Sequence, residues 1–170
     1  MARYLEVTLE RRGVSCIARL LDEDAPHTCA MVWEALPQGG AAYHAKYARN
    51  EIYTIVPPFG PDAPGIENPT VTPIPGDICY FFFPTGMLDR QFKEEKGVQH
   101  LPGVVDLALF YGRNNLLLNA DVGWVVGNVF ATVVRGLKEM ATAANDVWRS
   151  GAVGERLLFA RYHGPDPEAQ

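Results

Sequence analysis

Two titratable side chains, His44 and Glu51, have the residue types best suited to acid–base chemistry in this sequence. They stand on either side of a short polar stretch, residues 48–50. On one regular strand, side chains seven positions apart point to opposite faces. A turn or bulge at residues 48–50 would let two paired strands bring them together. The structural alternative is a hydrogen-bonded barrel position for His44, with Glu51 as a strand-edge carboxylate paired with Arg49 or Arg113.

A second polar group follows the strand that ends at Tyr111. Arg113 offers a planar fork of donors that suits a carboxylate, and Gly112 lets the backbone approach a ligand closely. The alternative here is a turn in which Arg113 pairs with Asp106 or Glu51. A charge among aromatic residues is costly unless it is paired or meets a ligand, so we expect His44, Glu51 and Arg113 to share one cavity. The predicted ligand-binding residues are Tyr43, His44, Glu51, Tyr53, Tyr80, Phe82, Tyr111, Arg113 and Asn114, with His44 and Glu51 as the catalytic candidates.

Other chemistries leave no signature in the sequence. The four histidines share no ligand spacing, and there is no phosphate loop, dinucleotide fingerprint or Ser-His-Asp signature, so we expect neither a metal nor a cofactor. A net charge of −5 argues against nucleic acid and membrane surfaces as partners. Three cysteines without a disulfide pattern, and no apolar run of the length of a membrane span, favour a cytoplasmic protein.

The elements that position these residues are mostly strands. Residues 4–10 alternate between apolar and polar side chains, and with residues 14–21 they predict an opening hairpin. Apolar spacing predicts helices over 25–36, with Asp24 as N-cap and a turn at 37–40, and over 136–149, ending at Gly151. Further strands are expected at about 41–47, 50–56, 77–83, 104–111, 126–134 and 155–163.

Two long irregular segments interrupt this pattern. Residues 57–76 hold seven of the 13 prolines, which excludes a helix or a central strand there, and we expect an ordered loop folded against the sheet. Residues 85–102 are charged and have room for one or two helical turns. The chain length fits one domain, residues 1–163, followed by a flexible tail, 164–170. The order of elements favours a mainly β fold, a closed or nearly closed antiparallel barrel of about eight strands with two helices.

The order of several motifs resembles a bacterial family of uncharacterised cyclophilin-like proteins over residues 3–163. The matching motifs are the helix end Val32–Pro37, the strands Tyr43–Tyr47 and Asn50–Tyr53, the strand entry Pro75–Tyr80, the strand end Leu109–Arg113, the run Gly127–Ala131 and the stretch Glu67–Thr70. The resemblance implies a cyclophilin-like barrel and leaves the activity open.

Three functions follow as hypotheses. The leading one is recognition of a small polar ligand, such as a carboxylate, at the barrel mouth. The second, which the resemblance implies, is weak prolyl isomerase activity. Cyclophilins have Phe-His-Arg where this chain has Tyr43-His44-Ala45, and their arginine polarises the X-Pro amide, so Ala45 predicts little acceleration of isomerisation. The third is a non-catalytic subunit of a homo-oligomer or larger assembly.

Overall fold

The computed structural model describes residues 2–60, 62–120 and 122–169, and most of its regular structure is β-strand. The described helices are α1 (Pro26–Ala35), α2 (Arg90–Lys96) and α3 (Leu137–Ser150), with a 3-10 turn at Thr85–Met87. The strands are β1 (Tyr4–Leu9), β2 (Val14–Leu20), β3 (Gln38–Ala41), β4 (Tyr43–His44), β5 (Glu51–Val56), β6 (Pro69–Thr70), β7 (Asp77–Pro84), β8 (Gly103–Phe110), β9 (Leu118–Asn119), β10 (Gly123–Trp124), β11 (Gly127–Arg135) and β12 (Arg156–Arg161). The mainly β prediction is confirmed, whereas the prediction of two helices omits α2, which forms in the charged segment 85–102.

Ten strands form one antiparallel sheet. Its hydrogen-bonded order is β3-β12-β1-β2-β11-β7-β8-β5-β4, and β6 pairs with β11 beside this path. Strands β9 and β10 form a separate small hairpin. Within the described residues no ladder joins the two ends of the sheet, although β3 lies against β5.

The centre of the sheet is buried on both faces. Every residue of β8 is buried, as the continuous apolar run Gly103–Phe110 requires. One face belongs to the main core, which includes Ile78, Tyr80 and Leu107 and packs against α1 and α3. The alternate residues Cys79, Phe81 and Ala108 belong to a smaller core on the opposite face, called here the outer core. The outer core places a second set of side chains beneath a cover formed by the segments 85–102 and 112–126.

Helix α1 begins differently from the prediction. Ala25 is its N-cap and provides no side-chain hydrogen bond, so Asp24 is not the cap. The carboxylate comes instead from Glu67 in the proline-rich loop, which accepts hydrogen bonds from the backbone N–H groups of His27 and Thr28 at 3.0 and 2.8 Å. After the helix, Gln38–Ala41 pairs with β12 as β3, so the predicted turn at 37–40 is wrong in that respect.

The proline-rich loop folds against the sheet over its described part. Asn128 of β11 accepts hydrogen bonds from the backbone of Glu67 and Asn68, and two residues of the loop form β6. Pro61 lies outside the described residues, as does Gln170 at the end of the predicted tail. The described tail contacts the first strands, where Tyr4 donates to Asp166 and Glu168. None of the described helices has both the length and the apolar composition needed to cross a membrane.

Candidate functional site

A cavity of about 430 Å³ lies over the outer core. Its floor is the outer face of β5, β7 and β8, and its cover comes from residues 87–92 and 116–125. The volume falls within the range of small-molecule sites in proteins. The walls are largely apolar and include Ile55, Phe81, Phe83, Val104 and Leu117.

Two acidic side chains of the floor, Glu51 and Asp106, line this cavity. Glu51 on β5 is 6% exposed, and Asp106 on β8 is 7% exposed. In the strand register Asp106 stands opposite Ile55, and Glu51 stands opposite Phe110, so both acids occupy the same face of the β5–β8 pair. The cavity thus contains two carboxyl groups set into an otherwise apolar surface.

These carboxyl groups lack partners within the described residues. The Oδ1 atom of Asp106 is buried and makes no hydrogen bond with any described group, and neither acid takes part in an ion pair with a described residue. Burial raises the pKa of Glu51 to about 8. Burial, and then the charge of Glu51, raise the pKa of Asp106 well above its usual range. Near neutral pH the site therefore favours the protonated acids.

Few other titratable groups line the cavity. Tyr53 lies on β5 between Glu51 and Ile55, and burial followed by the charges of Asp106 and Glu51 raises the pKa of its phenol. Lys46 and Asp89 also border the cavity, and both are exposed. Counting the described lining residues, three carboxylates would face one ammonium group if every acid were ionised, so this part of the site has an excess of acidic groups.

The structure places His44 on the opposite face from Glu51. His44 pairs with Ile52 in the β4–β5 register, and adjacent residues of a strand point to opposite faces. Its Nδ1 donates to the carbonyl of Ala45 at 2.9 Å, so Nε2 accepts from the Tyr111 hydroxyl at 2.6 Å. Burial lowers the pKa of His44, although the bond to Ala45 opposes the shift. The predicted bulge near Arg49 does not bring His44 and Glu51 together.

Arg113 and Asn114 lie in an exposed turn and line neither this cavity nor the one beside Tyr43. Among the described residues Arg113 forms no ion pair with Glu51 or Asp106. The expected single cavity shared by His44, Glu51 and Arg113 is therefore not the arrangement that forms.

The space beside Gly112 is filled by the protein itself. A Cβ atom at Gly112 would lie 2.7 Å from Cγ of Asn50, so Asn50 occupies the close approach expected of a ligand. The neighbouring amide of Asn115 is buried; its Oδ1 accepts from the Asn50 backbone, and its Nδ2 donates to the carbonyl oxygens of Pro73 and Gly112. These bonds hold the turn that follows β8.

The remaining predicted residues divide between the two faces. Tyr53 lines the cavity over the outer core together with Glu51. Tyr80 and Phe82 belong to the main core or pack against it, on the opposite side of β7. Tyr43 packs on Tyr53 with ring centroids 5.4 Å apart and borders a second cavity near Val153. Tyr80, Phe82 and Tyr111 are thus held by packing and hydrogen bonding, away from the acidic cavity.

Asp106 is the main residue that the sequence prediction missed as part of a site. It was considered only as a partner for Arg113. Its signal is local: a single acid inside the apolar strand Gly103–Phe110, at a position that alternation places on the same face as Val104 and Ala108. Among the described residues there is no group of three or more His, Cys, Asp or Glu side chains that could hold a metal ion.

Comparison with solved structures shows the fold. The chain is similar to the structure of McbB in complex with tryptophan, with a TM-score of 0.64 at 14% sequence identity. The match covers 95% of this chain and 46% of McbB, so the chain spans less than half the length of that protein. At this identity the likeness carries no information about activity.

Comparison of sequences places the chain in a family. No curated protein matches it. A family profile described as "Protein of unknown function (DUF3830)" matches residues 7–159, which is most of the chain. The prediction of an uncharacterised family is confirmed, while its cyclophilin-like character remains a prediction. The chain belongs to the DUF3830 family of proteins of unknown function.

Proposed function

We propose that this protein binds a small organic molecule in the cavity above Glu51 and Asp106. The observation that supports this function is a pair of buried carboxyl groups in a cavity of about 430 Å³. Neither acid forms an ion pair with a described residue, and Oδ1 of Asp106 has no hydrogen-bond partner among the described groups. Leaving buried polar groups unsatisfied costs free energy that a ligand with complementary groups would recover.

The proposed ligand differs from the one expected from the sequence. That expectation relied on Arg113 to bind a carboxylate, and Arg113 is not in the cavity. A ligand that donates hydrogen bonds or carries positive charge suits Glu51 and Asp106 better, because a carboxylate would repel them once they ionise. Ile55, Phe81 and Phe83 offer a surface for an apolar or aromatic body.

We also propose that the sheet closes into a barrel. The contact between β3 and β5 supports a sheet that curves until its two ends meet. A Cβ atom at Gly40 of β3 would lie 3.2 Å from Oγ1 of Thr54 on β5, which leaves no room for another layer between these strands.

The test is binding of an uncharged apolar fluorophore, N-phenyl-1-naphthylamine. We expect its fluorescence to rise with the wild-type protein and to stay near the buffer value with Ala48→Phe, because Ala48 is buried and lines the cavity. The matched control is Ala30→Phe on the exposed side of α1, which should bind the probe as the wild type does. Equal binding by both variants, with unchanged thermal unfolding, would rule out this cavity as the binding site.

A further inference from the structure

We propose that the ligand of this cavity is an organic amine, bound with its ammonium group at the carboxyl group of Asp106, on the same sheet face as Glu51, and with its apolar body against the aromatic wall. The inference rests on the proposed function and specifies the ligand class of the same site.

The first observation concerns the hydrogen-bond acceptors in the cavity. Oδ1 of Asp106 is fully buried without a donor among the described residues, and Asp106 is directed into the cavity. Glu51 lines the same cavity and is likewise unpaired there. An ammonium group has three donors and no acceptor, and its bonds to carboxylates are the strong, charge-assisted kind. It therefore supplies the donor that Asp106 Oδ1 lacks, and a charge opposite to that of an ionised Glu51.

The balance of charge points the same way. Among the described residues, the acids that line the cavity are Glu51, Asp106 and Asp89, and the one cationic group is that of Lys46. Lys46 is exposed at the border and forms no ion pair with the two buried acids. A cationic ligand would neutralise the buried pair, whereas an anionic ligand would add a further like charge.

The walls of the cavity are apolar and aromatic, which suits an organic ligand better than an inorganic cation. Phe81 and Phe83 stack with their ring centroids 6.0 Å apart, and both line the cavity. Phe92 of α2 and Leu117 approach from the cover. A metal ion would find only two carboxyl groups in this apolar setting, fewer than hard cations require. An amine with a ring-sized apolar body would use the walls and the acids together.

Binding of such an amine is coupled to protons. The raised pKa of Glu51, about 8, means that its carboxyl group is mostly protonated at neutral pH. Among the described residues, the titratable groups that line the cavity with it are Asp106, Tyr53, Tyr47, Lys46 and Asp89. A cation favours the ionised acid, so binding should release protons below pH 8. Affinity should then rise by up to about tenfold per pH unit between pH 6 and 8.

The experiment is calorimetric titration of the full chain with three probes of similar size: 2-phenylethylamine, 2-phenylethanol and 3-phenylpropanoate. At pH 8 we expect the amine to bind at least about tenfold more tightly than the alcohol, and the carboxylate to bind least. Asp106→Asn should reduce amine affinity about tenfold or more, Glu51→Gln should reduce it less, and both should change alcohol affinity by less than about threefold. Glu51→Gln should also make the rise with pH shallower, and the rise that is left comes from Asp106.

Asp24→Asn is the control, because Asp24 is an exposed acid two residues before α1 and is not among the residues that line the cavity. It should leave all three affinities unchanged. Equal affinities for amine and alcohol, tighter binding of the carboxylate, or no amine binding by a protein that still binds N-phenyl-1-naphthylamine would overturn the amine inference and leave the binding cavity intact. Failure to bind the fluorophore and all three probes would reject the cavity itself as a ligand site.

Discussion

Burying Glu51 and Asp106 among apolar side chains without a cation costs free energy in the folded state. Proteins meet this cost by keeping such groups protonated or by pairing them. The raised pKa of each acid indicates the first solution in the free protein. Protonated carboxyl groups still donate and accept hydrogen bonds, so the two acids can bind a polar ligand in this state.

The pH dependence of stability follows from Glu51. Its pKa in the folded state is about 8, above the value near 4.3 of an unfolded chain. The contribution of the Glu51 side chain to the free energy of unfolding is fully present below the unfolded pKa. It is lost as the pH rises toward 8. We therefore expect a smaller free energy of unfolding in urea at pH 8 than at pH 5.5.

Glu51→Gln should reduce this loss, because glutamine does not titrate. Glu23→Gln, at an exposed position, should keep the wild-type dependence on pH. The comparison uses the change with pH within each protein, so any constant cost of burying the amide cancels. A Glu51→Gln variant with the same decline from pH 5.5 to 8 would show that Glu51 ionises as readily in the fold as in the unfolded chain.

Sequence patterns identified some of these residues for sound reasons. Glu51 and Tyr53 were both among the predicted ligand-binding residues, and both line the cavity. Alternation along the strands separates His44 from Glu51. His44 pairs with Ile52, the neighbour of Glu51 on β5, so His44 and Glu51 point to opposite faces of the sheet. Arg113 could not be placed from composition, since its position depends on how Asn115 folds the turn after β8.

At the scale of elements, the first helix depends on the proline-rich loop. Glu67 accepts from the backbone N–H groups of His27 and Thr28, and from the Thr28 hydroxyl at 2.6 Å. Burial opposes ionisation of Glu67, but these hydrogen bonds outweigh it and lower its pKa to about 2. The negative charge also lies at the positive end of the helix dipole.

Replacing Glu67 should therefore weaken the junction between the loop and the helix. We expect Glu67→Ala to lower the free energy of unfolding by about 1 to 2 kcal/mol at pH 7, the usual effect of losing a helix cap. The contribution is present above the unfolded pKa and disappears as pH falls toward 2, so the two proteins should converge in acid. Urea unfolding between pH 7 and 3 measures both effects.

Asp24→Ala is the matched control, since Asp24 precedes the helix in sequence without capping it. It should change stability by no more than about 0.5 kcal/mol. A larger effect for Asp24→Ala than for Glu67→Ala would restore Asp24 as the cap. The sequence showed the helix through its apolar spacing, but a cap that comes from 40 residues away leaves no local pattern.

At the scale of the whole molecule, the approach of β3 to β5 decides whether the sheet closes. Gly40 and Thr54 face each other across this junction, and Thr54 Oγ1 is buried without a hydrogen-bond partner among the described groups. The variant Gly40→Cys with Thr54→Cys should form a disulfide on mild oxidation. A closed loop of about 15 residues should stabilise the protein by about 3 kcal/mol over its reduced form.

The native thiols should not compete with this disulfide. Burial raises the pKa of Cys16 and of Cys29 to about 12 and that of Cys79 well above its usual range, so none forms a reactive thiolate readily. Each single cysteine variant should show no gain in stability on oxidation. If the double variant keeps both introduced thiols free, the two ends of the sheet do not approach closely in solution.

The overall architecture was partly accessible from the sequence. Short apolar runs and turn residues indicated antiparallel strands, and strands β5, β7, β8, β11 and β12 begin within one residue of their predicted starts. The strand at Gln38–Ala41 was missed because its two glycines are typical of turns, whereas here they allow close contact with β12 and β5. The outer core was not foreseen either, since an apolar strand does not reveal what covers each face.

The complete burial of β8 has a consequence for how relatives of this protein can diverge. The acids belong to strands whose register is fixed by neighbours on both sides, whereas the cover belongs to segments 85–102 and 112–126 that connect those strands. Insertions and deletions are tolerated in connecting segments and rarely in central strands. Changes in the cover can therefore alter the size and shape of the ligand that fits the cavity. The acids that bind its polar group keep their positions on the sheet.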